Sequence, residues 1–449
     1  MDIKKITPAR ILVSGFALVI LAGALLLTLP AATHDGQGLP FLDALFTSTS
    51  AVCVTGLVVV DTATTLTLFG EVIILMLIQI GGLGFMTFAT LFAIILGKKI
   101  TLKERLLLQE ALNQISLEGI VRLAKSVVQI SFVIEALGTL ILTLRWSFDF
   151  GWSKAFYLGL FHAVSAFNNA GFDLFGNFSS MTAYTGDPVI NITVMLLFIS
   201  GGLGFTVIAS LNPLREGKLP RQRKLSLHTK LVLQVSAVLI FLGTVVIFLL
   251  EYTNPLTLGP LPWGTKILAA LFQAVSPRTA GFNTINLGAM HETTLLFIVV
   301  LMFIGASPGS TGGGIKTTTF SALVFSVLST YRNEPCVVIE GRTLPNDIIR
   351  KALAVAASAA FLVIFVTFIL ALTEKATLLP LLFEVTSAFG TVGLSMGVTL
   401  ILSAFGKAAI ILTMFIGRLG PLTLVFFLSQ RTAGSAAQLK YPDERIIIG

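Results

Sequence analysis

Eight long apolar runs divide this chain, and they constrain its fold more than any other feature of the sequence. They are residues 11–29, 72–96, 127–144, 189–211, 231–250, 294–328, 352–372 and 408–428. A helix of about 20 apolar residues is long enough to cross the hydrocarbon of a bilayer. Each run is 18 residues or longer. We therefore predict eight transmembrane helices.

The composition of the chain excludes a soluble fold. Hydrophobic residues make up 55% of it and charged residues 12%, so polar side chains are too few to cover a soluble surface. The basic start before run 11–29 resembles a signal peptide. However, the run is long enough to span a bilayer, and the residues Leu-Pro-Ala-Ala at 29–32 are a poor cleavage site. We predict that this run is retained as the first transmembrane helix.

The distribution of charge predicts the orientation. The N-terminus, the segments 97–126, 212–230 and 329–351, and the tail after residue 430 contain 22 of the 30 basic residues and 10 acidic ones. The segments on the other side contain 6 basic and 11 acidic residues. Because cytoplasmic segments carry the basic excess, we expect a multi-pass protein of the plasma membrane with both termini in the cytoplasm.

A shorter apolar stretch lies inside each successive pair of runs, at residues 41–54, 155–168, 267–276 and 379–389. Such stretches are too short to cross the hydrocarbon and are typical of re-entrant segments. Each contains a phenylalanine, then a serine four residues later, then a turn with glycine: Phe46/Ser50/Gly56, Phe161/Ser165/Gly171, Phe272/Ser276/Gly281 and Phe383/Ser387/Gly393. The glycines are 115, 110 and 112 residues apart, so the chain contains an internal repeat.

The repeat predicts an all-α membrane protein of four pore-loop units in one orientation. Each unit is a transmembrane helix, a re-entrant pore loop and a second transmembrane helix. The units span residues 1–97, 98–211, 212–328 and 329–449, the last of which includes a cytoplasmic C-terminal tail. Since every unit enters from the same side, we expect a pseudo-fourfold pore along the membrane normal, unlike the inverted repeats of many transporters.

The four glycine turns carry the predicted chemistry. They are Val54-Thr55-Gly56, Asn169-Ala170-Gly171, Thr279-Ala280-Gly281 and Thr391-Val392-Gly393. A cation that loses its water in a membrane needs oxygen ligands, and backbone carbonyls from converging loops can supply them. Glycine tolerates the positive φ that turns successive carbonyls to one axis. A neutral carbonyl cage fits a monovalent ion better than a divalent one.

These units resemble the Trk/Ktr/HKT superfamily of potassium transporters over essentially the whole chain, and most closely the bacterial Ktr membrane subunit. The resemblance implies that the twelve turn residues form a selectivity filter that binds potassium through backbone carbonyls. In this superfamily, serine in place of the first filter glycine is associated with sodium permeation. Gly56 occupies that position here, which favours potassium.

The second helix of unit three contains an unusual segment, residues 305–316. Its candidate gating residues are Gly305, Ser307, Pro308, Gly309, Gly312, Gly313, Gly314 and Lys316. Pro308 and the glycines should break the helix at membrane depth, where irregular backbone must be buried in protein or line water. A nucleotide phosphate loop is excluded because Ile315 separates Gly314 from Lys316 and no strand precedes. The resemblance implies an intramembrane gating loop at 306–314, below the filter.

The other units carry glycines at the matching place, residues 81–84, 201–204 and 417–420. For the first two we expect close helix packing through small residues. Arg418 lies inside the eighth run, where an arginine is costly unless it is paired or hydrated. The resemblance implies that Arg418 lies beneath the filter, where its charge is an electrostatic barrier and its side chain contacts the gating loop. Lys316 either supplements Arg418 or marks the restart of the helix. Glu135, midway along the third run, is expected to be a hydrogen-bonded packing residue.

The resemblance also implies partners: a cytosolic ring of regulatory nucleotide-binding subunits, docked on basic inner loops such as 212–230, and a second copy in a homodimer. We expect the lipid bilayer and no nucleic acid as further contacts. No covalent cofactor is expected; potassium is the transported ion, and sodium is a candidate activator. Two alternatives stay open, a sodium-permeable member of the superfamily and a coupled secondary transporter using Glu135. An enzyme is disfavoured because the sequence has no nucleophile–base arrangement.

Overall fold

The computed structural model of the protein describes residues 8–420, except 85, 88–89, 91–93, 95–99, 112–118 and 212–224. The tail predicted to be cytoplasmic lies outside the described residues from position 421 onward, as does most of the basic segment 212–230. The described chain is mostly helical. Its two named strands, Val338–Ile339 and Arg342–Thr343, form a short antiparallel hairpin.

The helices follow one order four times: a first helix, a pore helix and a second helix. The first helices are Pro8–Leu27, Ile120–Phe150, Leu227–Glu251 and Asn346–Thr373. The pore helices are Phe41–Val52, Trp152–Phe167, Trp263–Val275 and Leu378–Gly390. The second helices are Leu68–Leu83, Pro188–Leu203, Glu292–Phe303 and Ala404–Leu419. The remaining helices are Thr62–Thr65, Leu102–Ala111, Phe205–Leu211 and Thr317–Tyr331, with short 3-10 segments at Pro30–Ala32, Thr182–Tyr184, Leu287–Ala289 and Val398–Ile401.

The first helices are long and apolar enough to cross a membrane, and the second helices are shorter. By length and composition the described residues supply four spans, or five if Pro188–Leu203 and Phe205–Leu211, bent by 104°, count as one. The prediction of membrane-spanning helices is therefore confirmed. Eight spans are not confirmed, because the second helix of each unit ends before its apolar run does.

Glycines with positive φ follow three of the second helices. Gly84, Gly204 and Gly420 follow the second helices with φ of +81°, +94° and +85°. Glycine adopts a positive φ without the Cβ clash that other residues meet. The close packing expected for the first two glycine groups is also present. A methyl group on Gly81 or Gly201 would overlap the carbonyl oxygen of Val52 or Phe167, at the end of the pore helix.

The core joins the units into a closed arrangement. All four repeat phenylalanines, Phe46, Phe161, Phe272 and Phe383, are fully buried. One hydrophobic cluster contains Leu27 of unit one together with Val363 and Met414 of unit four. Lys407 Nζ, in the second helix of unit four, lies 2.5 Å from Asp43 Oδ1 in the pore helix of unit one. The two ends of the repeat are therefore in contact.

The strand hairpin packs on unit three: Val337 and Ile339 contact Leu231 in the first helix of that unit. Lys230 Nζ donates to Glu340 Oε2 at 2.7 Å, and this bond lowers the pKa of the Glu340 carboxyl. The hairpin thus connects unit three to the start of unit four.

Glu251 is the last residue of the first helix of unit three. It is fully buried and accepts four hydrogen bonds. Its Oε1 accepts from the His291 amide at 2.9 Å and from the Thr294 hydroxyl at 2.6 Å. Its Oε2 accepts from the side-chain amide of Asn254 and from the Thr257 hydroxyl, each at 2.6 Å. The carboxylate therefore fastens the first helix to the beginning of the second.

Replacing Glu251 by alanine would leave these buried donors without their acceptor. A buried unsatisfied group costs about 1–3 kcal/mol, so we expect Glu251→Ala to lower the free energy of unfolding by ~3 kcal/mol or more. Thermal unfolding in detergent measures this. The control is Glu292→Ala, because Glu292 is exposed at the start of the next helix. Equal midpoints for the two variants would contradict the role of Glu251.

Candidate ion pathway

Each of the four glycine turns lies just after its pore helix and has the same pattern of positive φ. The first residue is left-handed in all four: Val54, Asn169, Thr279 and Thr391 have φ of 51°, 59°, 80° and 51°. The glycine is left-handed as well: Gly56, Gly171, Gly281 and Gly393 have φ of 89°, 70°, 78° and 93°. A non-glycine residue with positive φ costs free energy, so this repetition requires support from the surroundings.

The repeat serine supplies that support in every unit. The serine carbonyl accepts the amide of the residue before the glycine: Thr55 to Ser50 and Ala170 to Ser165 at 2.8 Å, Ala280 to Ser276 at 2.9 Å, and Val392 to Ser387 at 2.8 Å. The hydroxyls of Ser50 and Ser387 accept the glycine amide at 3.0 and 3.1 Å. Those of Ser165 and Ser276 donate to the carbonyl of the residue after the glycine at 2.7 and 2.5 Å.

The four turns meet in a closed ring. A methyl group on Gly56 would lie 2.5 Å from the carbonyl oxygen of Ala170, and one on Gly171 would lie 3.0 Å from that of Ala280. One on Gly281 would lie 2.5 Å from that of Val392. One on Gly393 would overlap the carbonyl oxygen of Thr55, which closes the ring. Each glycine therefore faces a carbonyl of the next unit.

A cavity of about 280 Å³ lies on one side of the ring and is lined by all four glycines. Asp61 and Asp173, from the segments after the first and second turns, also line it. The Asp61 carboxylate accepts from the Thr64 amide at 2.9 Å and from the Phe178 amide at 2.8 Å, which joins units one and two. The cavity is thus an acidic vestibule that ends at the glycine ring.

The segment between Phe303 and Thr317 lies at the opposite end of the turns. The Gly313 amide donates to the Thr391 hydroxyl at 2.9 Å. The Thr311 hydroxyl lies 3.1 Å from the side-chain amide of Asn169. A methyl group on Gly312 would overlap the hydroxyl of Thr279. The segment therefore contacts the first residue of three turns.

The same segment is held by its neighbours. The Ser307 and Thr311 amides donate to the carbonyls of Gly202 and Gly201 at 3.0 and 3.2 Å. The Gly309 carbonyl, adjacent to Pro308, accepts the Phe205 amide at 2.8 Å. Gly305 and Gly314 pack so closely that a methyl group on Gly314 would lie 3.0 Å from the Gly305 Cα. These contacts span units two and three.

Two basic side chains contact the same segment. The Arg418 guanidinium donates to the carbonyl of Thr311 and to that of Gly81, and lies 3.3 Å from the carbonyl of Gly82. Lys316 Nζ donates to the Gly312 carbonyl at 2.6 Å. Arg418 thus ties the loop of unit three to the second helix of unit one, whereas Lys316 bonds within the loop.

Glu135 is buried and hydrogen-bonded. Both of its carboxylate oxygens lie 3.0 Å from the Gln79 side-chain nitrogen, and Oε1 also accepts from the Asn168 amide at 3.0 Å. Asn168 immediately precedes the second glycine turn. Glu135 therefore connects units one and two behind that turn.

Two further buried charged residues were missed by sequence reasoning. Glu384 lies in the fourth pore helix with no exposed surface, so Glu135 is not the only carboxylate buried among these helices. Arg278, one residue before the third turn, is 9% exposed and donates to the Ser236 hydroxyl at 3.0 Å. The sequence carried a signal for Glu384, since this residue lies within the short pore stretch 379–389 and not in a connecting loop, whereas Arg278 lies between the third stretch and its glycine turn.

Comparisons with known proteins agree with this geometry. The chain matches the TrkH family, described as cation transport protein, over residues 7–435. It is 48% identical to Ktr system potassium uptake protein B of Bacillus subtilis over 99% of this chain and 97% of that protein. It is 38% identical to the potassium/sodium uptake protein NtpJ of Enterococcus hirae over 99% of this chain and 98% of that one.

The fold has a solved counterpart in the potassium transporter TrkH of Vibrio parahaemolyticus. The TM-score is 0.75 at 20% identity, over 96% of this chain and 86% of that one. The resemblance to the Trk/Ktr/HKT superfamily is thereby confirmed. These relatives are ion transporters and not enzymes, and the chain belongs to the TrkH family of cation transport proteins.

Proposed function

We propose that this chain takes up potassium across the cell membrane through a filter formed by the four glycine turns. The observation that carries the proposal is the closed ring, in which each turn glycine faces a carbonyl oxygen of the next unit. Left-handed residues at the first and third positions of a turn direct successive carbonyls to the same side. Four such turns offer a dehydrated monovalent cation a cage of neutral oxygens.

The proposed pore has four units, 1–97, 98–211, 212–328 and 329–449, around one axis, with eight membrane crossings and both termini in the cytoplasm. The fourfold order of first, pore and second helices supports this arrangement. In each unit the second helix ends before its apolar run does. Irregular backbone at that depth is tolerated where it is buried in protein or lines water.

The loop 306–314 is the proposed gate. Its contacts with Asn169, Thr279 and Thr391 support this role, because they lie at the end of the turns away from the vestibule. An ion that leaves the filter would meet the loop and then Arg418, whose positive charge opposes cation passage. Lys316 stabilises the closed loop through the Gly312 carbonyl.

Opening is proposed to depend on a cytosolic regulatory subunit that binds nucleotide, and the protein is proposed to act as a homodimer with one pore in each copy. The relative from Bacillus subtilis is named as one component of a Ktr system, which supports a separate partner. Sodium is a candidate activating ion.

The test is potassium uptake in a bacterium that lacks its own potassium transporters, with and without a co-expressed regulatory subunit. We expect growth to be restored at low external potassium, and uptake of a rubidium tracer to be suppressed by added potassium far more than by added sodium. Uptake that is absent in both settings would overturn the proposal.

A sodium-permeable transporter is the second candidate, because one relative is named a potassium/sodium uptake protein. Equal suppression of tracer uptake by sodium and potassium would favour it. Coupled transport through Glu135 has weaker support, since both carboxylate oxygens of that residue already accept hydrogen bonds.

A further inference from the structure

The residue that follows the repeat phenylalanine occupies the same place in all four pore helices. It is Thr47, His162, Gln273 and Glu384 in units one to four. Each lies three residues before the repeat serine, and each is at most 1% exposed. The four units therefore share one buried position behind the glycine turn, and its chemistry differs from unit to unit.

In two units this side chain bonds to the segment after the turn. His162 Nε2 accepts the Leu174 amide at 3.3 Å, three residues beyond Gly171. In unit four, Glu384 Oε2 accepts the Ser395 hydroxyl at 2.8 Å, and Oε1 accepts the Thr399 hydroxyl. Ser395 lies two residues beyond the turn glycine. In units two and four the shared position thus holds the segment after the turn against the pore helix.

Glu384 makes the more extensive of these connections. Ser395 and Thr399 both line the vestibule, so the carboxylate bonds two residues of its wall from behind. Their hydroxyls lie 3.2 Å apart, and the Ser395 hydroxyl also accepts the Gly397 amide at 3.0 Å. Loss of the carboxylate would release both hydroxyls and the backbone between them.

We propose that Glu384 is a positioning residue that fixes the outer mouth of the fourth turn and thereby sets the preference for potassium over sodium. This inference depends on the proposed function, since it names a determinant of selectivity at the same filter. The carboxylate acts through Ser395 and Thr399 and does not itself contact the ion. A filter whose outer ring can relax accommodates ions of different size. The preference for potassium over sodium therefore falls when the hydrogen bonds of Glu384 are lost.

The experiment compares Glu384→Gln with wild type in the potassium-transport-deficient bacterium, using potassium and sodium competition against rubidium uptake. A neutral amide is a weaker acceptor than a carboxylate, and we expect the potassium preference to fall about fivefold or more at unchanged protein abundance. Ser395→Ala and Thr399→Val remove the donors from the vestibule side and are expected to act in the same direction. Combining Ser395→Ala with Glu384→Gln should add little to either.

The matched control is Glu374→Gln, in the same unit. Glu374 also accepts from a serine, through the Ser403 amide at 3.0 Å and the Ser403 hydroxyl at 2.5 Å, but it does not line the vestibule. We expect this variant to keep the wild-type preference. Unchanged preference in Glu384→Gln and Ser395→Ala, with a selective wild type, would overturn this inference alone. A wild type without potassium preference would overturn the proposed function.

Discussion

Replacing Gly281 by serine is expected to reduce the preference for potassium over sodium by about tenfold or more. Gly281 has φ of +78°, where a residue with a Cβ is strained by about 1–2 kcal/mol. Its new Cβ would lie 2.5 Å from the Val392 carbonyl oxygen and 3.0 Å from the Gly171 Cα. The ring must widen to accept the side chain, and a free-energy change of about 1.4 kcal/mol corresponds to a tenfold change in relative affinity.

Gly288→Ser is the matched control for this variant. Gly288 lines the same vestibule, but a Cβ there meets its nearest atom, Asn286 Oδ1, at 3.5 Å. We expect wild-type uptake and preference from the control. If Gly281→Ser kept both properties as well, the turns would not form the filter. Protein abundance in the membrane fraction separates lost selectivity from lost folding.

The sequence predicted the repeated parts of the fold well, because they obey local rules. The phenylalanine-serine-glycine spacing identified the pore helices, since phenylalanine must be buried and serine must reach the turn four to six residues later. The serine bonds recur in all four units even though unit three is one residue shorter. Positive φ at the glycines was also predictable from residue type.

Other features could not be predicted, because they depend on three-dimensional contacts and helix ends that hydropathy and residue spacing do not show. Hydropathy continues across Gly84, Gly204 and Gly420, so the apolar runs do not show where the second helices end. Positive φ at Val54, Thr279 and Thr391 is not a preference of these residue types, and the serine bonds around each turn support it. The role of Glu384 requires Ser395 and Thr399, which lie 11 and 15 residues away in a loop.

Deleting Gly312–Gly314 is expected to raise potassium flux several-fold in the absence of a regulatory subunit. Gly312 and Gly313 contact Thr279 and Thr391 at the end of the glycine turns that faces away from the vestibule. Their removal shortens the loop and withdraws it from the axis, so an ion leaving the filter meets no backbone obstruction. Rubidium uptake in vesicles that contain only this protein measures the flux. Sodium competition in the same vesicles reports whether the filter is intact.

Arg418→Gln tests the same gate without shortening the chain. The guanidinium joins the Thr311 carbonyl of the loop to the Gly81 carbonyl of unit one, and its charge opposes cations, so we expect higher unstimulated flux with potassium preference retained. Lys407→Gln is the control, because Lys407 lies on the same helix but pairs with Asp43; its flux should equal wild type. Wild-type flux in both gate variants would contradict a gating loop. Higher flux with lost preference would mean that the loop supports the filter instead of closing the pore.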